Sequence, residues 1–231
     1  MNKKVVYTCI TGNYDNLLEV TQMDSDFDYI CFTDNPSLTS DTWQIRMIDG
    51  LENLNNVRKQ RYIKINAHKL LSEYDLSIWI DGNIQLLGNL NDLIEKYHKG
   101  YMSTFKHPWN NCIYQECVGC ISVKKDNPLV MIKQTLQYRK EGYPQNNGLV
   151  ETKMLIRNHN DHECIELMEA WWAELNNGSH RDQLSFNYVL WKQNKCITLL
   201  DEQDIHRQYI IIVYGHGNNT KSWEHMTNRR I

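Results

Sequence analysis

The stretch Leu76-Ser-Ile-Trp-Ile-Asp81-Gly-Asn83-Ile-Gln-Leu-Leu87 decides the architecture. Its first five residues are apolar, β-branched or aromatic apart from one serine, the composition of a strand buried in a sheet. It then ends on a carboxylate, a glycine and a second oxygen donor. Asp81 and Asn83, one residue apart around a permissive glycine, can turn two hard oxygens toward one point. That is the kind of ligand set used by a Mg²⁺ or Mn²⁺ ion bridging phosphates. The same three residues also suit an ordinary Asp-Gly-Asn turn, so the rest of the chain carries the choice.

Outward from this strand, β-rich runs at 4–11, 29–33 and 43–48 precede a helical stretch over 57–73. Alternation of this kind predicts parallel strands with helices packed on the faces. Beyond it, 89–97 has helical spacing behind an Asn89 cap, 101–105 reads as a strand, and the run bearing Cys112, Cys117 and Cys120 as a strand or helix. A helix over 127–140 is closed by Gly142 and Pro144. The amphipathic pattern of 161–176, with Trp171 and Trp172, predicts another helix that Asn177-Gly178 ends, and Ser179 opens one more to Trp191. Strands at 195–200 and 209–214 precede a tail rich in Gly, Asn, His and Lys. The expectation is one α/β domain over residues 1–231, Rossmann-type, with a mixed, mostly parallel central sheet flanked by helices.

With 25 basic and 28 acidic side chains the formal charge is -3. No sequence-wide field therefore recruits nucleic acid or an anionic membrane, and any anion must be met locally. Seven cysteines, an odd number at irregular spacing, sit mostly in apolar segments, which predicts reduced, packed thiols and a cytoplasmic setting. Met1-Asn2-Lys3-Lys4 runs straight into a short strand, so no secretory leader is expected. The longest apolar run, 209–214, is too short to span a bilayer. Seven tryptophans and thirteen tyrosines exceed what a minimal core requires and leave some for a groove that takes sugar rings or a base.

Several constellations could carry chemistry. The first strand leads into Thr11-Gly12-Asn13-Tyr14-Asp15, a loop at a strand's C-terminal end, where ligands settle in open α/β sheets. It is neither a P-loop nor a Gly-x-Gly-x-x-Gly fingerprint. Tyr14 could stack on a base, and Asp34 could accept from a ribose or a ring N–H; turn chemistry explains both as well. Arg58, Arg61 and Lys64 recur every three residues and make one basic helix face, suited to phosphate oxygens or simply to solvent. In the tail, His216 could complete a metal shell, with His206 as the rival ligand, and Lys221 could neutralise a diphosphate; a frayed terminus reads the same way. Cys117-Val-Gly-Cys120, with Cys112 and His107 nearby, lacks the second close pair that a structural zinc site wants. Capping accounts for Ser179 at a helix start, while Asp182 or Glu151 could accept a proton from a hydroxyl.

In their order along the chain these pieces resemble a known family. They are Thr11-Gly-x-Tyr14-Asp15, Phe32-Thr33-Asp34, Arg58-x-x-Arg61-x-x-Lys64, Trp79-Ile-Asp81-Gly-Asn83, His107-Pro108, Cys112-x-Tyr114-x-Glu116, Glu141-Gly142-Tyr143-Pro144, Asn147-Gly148-Leu149, Arg157-Asn-His159-Asn160, Trp171-Trp172 and Arg181-Asp182-Gln183-Leu-Ser-Phe186. The chain resembles the GT-A-type nucleotide-sugar glycosyltransferases that include plant mucilage and pectin glycosyltransferase-like proteins and bacterial surface-polysaccharide proteins. The resemblance implies a UDP-sugar donor and a divalent cation at a modified Asp-x-Asp motif, here Asp81 and Asn83. It also implies a glycan or lipid-linked glycan acceptor and a protein peripheral to a membrane. Residues of about 1–105 would bind the nucleotide-sugar and about 106–231 would serve the acceptor. The segment from His216 to Trp223 is similar to the carboxy-terminal His-x-x-Gly-x-x-Lys-Pro-Trp loop of glycogenin-like glycosyltransferases, with Ser222 in place of proline. Two other readings compete: a sugar-1-phosphate nucleotidyltransferase, which wants a Gly-rich basic loop that residues 11–15 lack, and a catalytically silent sugar- or nucleotide-binding module.

Overall fold

The computed structural model describes residues 3–214 and 221–222. Seven strands form the main sheet: β1 (Lys4–Ile10), β2 (Phe27–Thr33), β3 (Gln44–Met47), β4 (Leu76–Ile80), β6 (Met102–Lys106), β7 (Val150–Arg157) and β8 (Thr198–Leu200), in spatial order β3-β2-β1-β4-β7-β6-β8. A small second sheet joins β5 (Ile84–Leu86), β9 (Ile210–Tyr214) and β10 (Lys221–Ser222), antiparallel throughout. In the main sheet β7 alone is reversed, antiparallel to both β4 and β6, while the other neighbours pair in parallel. The C-terminal ends of β1, β2, β4, β6 and β8 therefore share one edge, and the start of β7 lies among them.

Eight helices accompany the strands among the described residues: α1 (Asn56–Ile65), α2 (Ala67–Leu70), α3 (Leu90–Tyr97), α4 (Ile113–Ser122), α5 (Pro128–Lys140), α6 (His162–Asn177), α7 (Asp182–Lys192) and α8 (Glu202–Ile205). Each face of the sheet has its own core. On one face Tyr7, Ile63, Trp79, Leu155, Trp171 and Phe186 pack together; on the other, Val6, Ile78, Leu90, Leu93, Met154 and Ile210 do. Alternate residues of β4 enter opposite cores, which is why all five are buried and why the strand reads as a continuous apolar run.

The expected mixed, mostly parallel sheet with flanking helices is the observed one. Three local expectations change. The helix over 57–73 breaks at Asn66, which leaves the helical region (φ -94°, ψ 41°) and separates α1 from α2. Asn89 precedes α3 in a left-handed conformation (φ 62°) without capping it; the carboxylate of Asp24 accepts the Leu90 N–H instead, at 2.5 Å. Residues 150–157 carried no strand expectation, because Val150-Glu-Thr-Lys opens with polar residues, yet they form the central reversed strand. The run around Cys112, Cys117 and Cys120 is a helix. Six of the seven thiols are buried, Cys196 is exposed and all are unbridged. No helix among the described residues is long and apolar enough to cross a membrane.

Candidate active site

A cavity of about 430 Å³ opens at the C-terminal ends of β1 and β4. Its walls come from the loop after β1, including Thr11, Tyr14 and Asp15, from α1 through Gln60 and Arg61, and from Lys125, His180 and Arg181. Asp81, Gly82 and Asn83 line it as well. The turn they make is closed by the Ile84 N–H donating to the Asp81 carbonyl at 2.9 Å. Gly82 fits the crowded turn: a β-carbon there would lie 2.7 Å from Cδ1 of Ile10 and 3.2 Å from the Asp15 carboxylate, and both side chains would have to shift.

The side chains of the turn are held on one side only. Oδ1 of Asp81 accepts from Trp79 Nε1 at 2.9 Å and from Lys64 Nζ at 3.1 Å. Its other oxygen takes no hydrogen bond from the described residues, and the side chain is 30% exposed. Asn83 spends its amide N–H on the Val213 carbonyl at 3.2 Å, so its Oδ1 is the atom left for a ligand. Both residues line the cavity, and a carboxylate with an amide oxygen is a donor set that fits a hard divalent cation when phosphate and water complete the shell.

The basic row of α1 divides into three tasks. Arg58 is turned away from the cavity: its guanidinium donates to the carbonyls of Leu175 at 2.8 Å, Asn176 at 3.2 Å and Gly178 at 2.8 Å, closing the C-terminus of α6. Phosphate contact by Arg58 is thereby excluded in this arrangement. Arg61 faces the cavity and ion-pairs with Asp182 at 3.4 Å. Lys64 is buried, 1% exposed, and its three ammonium protons go to Asp81, to the Thr152 hydroxyl at 3.1 Å and to Asp182 at 2.8 Å. Thr152 also donates to Asp182 at 2.8 Å.

Asp182, expected as a general base, is buried and ion-paired with Arg61 and Lys64. Burial alone would raise its pKa, but the charges of Arg61, Lys64 and Arg181 and the Lys64 hydrogen bond hold the carboxyl well below the usual carboxylate range. A buried carboxylate held this way is a poor proton acceptor. Glu151, the other expected base, does not line the cavity. It lies on β7 next to Thr152, and successive side chains of a strand point to opposite faces. There it pairs with Lys153 at 2.8 Å, and Lys153 also binds Glu202 and sits 5.0 Å from the Phe105 ring centre. Glu202 lines a second cavity of about 320 Å³, with His107, Trp109, Asp201 and His206, at the ends of β6 and β8 on the same sheet edge.

The remaining expectations fall as follows. Tyr14 stands 60% exposed at the cavity rim. The Thr11 hydroxyl is committed to the Asn56 carbonyl at 3.0 Å, and Asp34 accepts the Gly12 N–H at 2.9 Å, so both hold the loop in shape beneath the cavity. His216 lies outside the described residues; Lys221 is described only as backbone, pairing with Tyr214 in β10. Sequence reasoning did not select Lys125, His180 or Arg181 as site residues. The guanidinium of Arg181 donates to Gln183 at 3.2 Å, its buried Nε–H makes no hydrogen bond among the described residues, and the charge of Asp182, with Cys120 and Glu116 nearby, favours its charged form. Its place just ahead of Asp182 was the available signal. Lys125 follows α4 with no periodicity to mark it.

Comparison with known proteins gives this geometry a family. The TOD1/MUCI70 glycosyltransferase-like domain matches residues 33–216. The chain belongs to that family. No curated protein matches it in sequence. Among solved structures it resembles mouse xyloside xylosyltransferase 1 in its apo form, with a TM-score of 0.52 and 11% identity over 87% of this chain and 86% of that one. It also resembles the apo bifunctional glycosyltransferase WbbM, with a TM-score of 0.50 and 12% identity over 86% of this chain. It spans only 38% of WbbM's length. Family and fold agree on a glycosyltransferase of the GT-A-like α/β class.

Proposed function

We propose that this TOD1/MUCI70-family chain transfers a glycosyl group from a nucleoside diphosphate sugar, with UDP as the nucleotide, to a hydroxyl of a glycan acceptor. The observation that carries the reading is the charge arrangement at the first cavity. Arg61, Lys125 and Arg181 line it and Lys64 lies beneath it, against the carboxylates of Asp15, Asp81 and Asp182, so an anionic diphosphate meets a small excess of positive charge in a partly desolvated site. Asp81 and Asn83 would hold a divalent Mn²⁺ or Mg²⁺, which when bound supplies electrostatic stabilisation to the departing diphosphate. Because Asn83 is neutral where an aspartate is usual, the cations beside it take a larger share of that work. Tyr14 offers its ring to the base at the cavity rim.

The acceptor belongs to the second cavity in this reading. Trp109 is 88% exposed there, an aromatic face for the apolar side of a sugar ring, and Asp201 and Glu202 can accept from its hydroxyls. Glu151, joined to Glu202 through Lys153, is the remaining proton acceptor for an inverting reaction. Surface-polysaccharide synthesis on the cytoplasmic side is the setting in which such a donor and acceptor meet.

The test is slow hydrolysis of a panel of UDP-sugars, with and without Mn²⁺. One donor should be hydrolysed, and Asp81→Asn should slow that hydrolysis by roughly 100-fold. Binding of UDP with no turnover of any sugar nucleotide would instead identify a silent binding module.

A further inference from the structure

Helix α5 presents apolar side chains that its own fold leaves uncovered. Met131, Gln134, Thr135 and Tyr138 form its inward face. Leu129 and Leu136, two turns apart on the outward face, remain exposed, Leu129 by 74%, with Ile132 exposed between them. Val118 of α4, which packs beside α5, and Val123 just after it extend the patch. A monomer in water gains nothing from such a patch, and contiguous exposed apolar surface marks a contact surface.

The charges around it say what the contact is. Between Ser122 and Lys140 the basic residues are Lys124, Lys125, Lys133, Arg139 and Lys140, against one acid, Asp126. That acid is turned inward, accepting from the Ser179 hydroxyl at 2.5 Å and the His180 N–H at 2.9 Å. Lys133 and Lys140 each follow an exposed leucine by four residues, so Leu129, Lys133, Leu136 and Lys140 alternate along one outward line. A second copy of the chain offering the same face would set lysine against lysine. An anionic lipid surface accepts the leucines into its acyl boundary and the lysines among its phosphates.

We propose that the outward face of α5, with Val118 and Val123, docks this protein on an anionic phospholipid bilayer. Lys125, in the segment that joins α4 to α5, also lines the nucleotide cavity, so docking through α5 would bring the cavity mouth toward the headgroups, where a lipid-linked acceptor would be presented. The docking itself does not depend on the nucleotide reading.

Co-sedimentation of the full chain with phosphatidylcholine vesicles, with or without phosphatidylglycerol, tests it. The protein should pellet only with the anionic vesicles and return to solution at high salt. Lys133→Glu and Lys140→Glu should each weaken binding at least about fivefold, and Leu129→Ser with Leu136→Ser by at least as much, with the circular-dichroism melt unchanged because these side chains are exposed. Failure to pellet with phosphatidylglycerol, or pelleting that the four substitutions leave intact, overturns the proposal. So does a lipid-free dimer that those substitutions dissociate, which would give the face to a second copy.

Discussion

Two lysines at one sheet edge, on opposite faces of β7, are each gripped by two carboxylates, and their surroundings differ in sign. Lys64 stands among Arg61, Arg181, Asp81 and Asp182, so its group keeps an excess of positive charge. Lys153 stands between Glu151 and Glu202 near Asp201, and its group keeps an excess of negative charge. Burial would lower the Lys153 pKa, but the two glutamates raise it above the ordinary lysine value, so the ion pair persists at neutral pH. Lys64 and Asp182 are sealed from water, whereas Asp81 on one side and Glu151 and Glu202 on the other are each nearly a third exposed. In the function proposed above, one side of β7 would receive the anionic donor and the other the hydroxyls of the acceptor.

The sharpest way to break this contrast is to remove the anion beneath Lys64. Asp182→Ala leaves a buried ammonium without its nearest partner and should cost roughly 3–5 kcal/mol in urea unfolding. A loss below about 1 kcal/mol would mean that Lys64 escapes to water and the sealed cluster is misread. Replacing Lys64 and Asp182 together by apolar residues of similar size should restore much of that stability while abolishing nucleotide binding.

A pH experiment asks whether either cluster titrates near neutrality. His159 is buried with Nε2 against the Leu71 carbonyl at 2.8 Å, and burial pushes its pKa down to about 4. The unfolded chain therefore binds a proton at His159 that the folded chain refuses, and stability falls as pH drops from the unfolded value toward the folded one. The loss between pH 7 and pH 5 should be about 2 kcal/mol, and His159→Gln should remove most of it. A loss that persists in full in that variant would place the titration in another histidine whose pKa burial lowers, such as His68 or His98.

Smaller effects separate the two sides functionally. Arg61→Gln should weaken UDP binding about tenfold while leaving acceptor saturation unchanged. Lys153→Met should do the reverse: UDP affinity within twofold of wild type, acceptor KM raised, and stability lowered by only about 1 kcal/mol because its partners reach water. Equal loss of UDP binding in both variants would erase the distinction.

Much of the fold was legible because β4 and its parallel neighbours are buried on both faces and so read as apolar runs, and because α6 has a clean amphipathic period. Strand β7 was not, since its first half places Glu151, Thr152 and Lys153 where each finds a partner that only tertiary structure brings. The same limit governed the site. Asp81 and Asn83 were visible from their spacing around Gly82, whereas the three-residue spacing of Arg58, Arg61 and Lys64 could not reveal that Arg58 turns to the end of α6 while Arg61 and Lys64 converge on Asp182. Asp182 looked like a base at a helix start because its burial beneath two cations leaves no trace in the local sequence.

Calorimetric titration of UDP into the wild-type chain and into Asp81→Asn, each with and without Mn²⁺, tests the central claim most directly. Wild type should bind UDP, more tightly with Mn²⁺, and the substitution should abolish the metal-dependent gain while leaving weak metal-free binding to the cationic wall. No heat of binding in wild type, or a metal-dependent gain that survives in Asp81→Asn, would contradict a nucleotide site built on that turn.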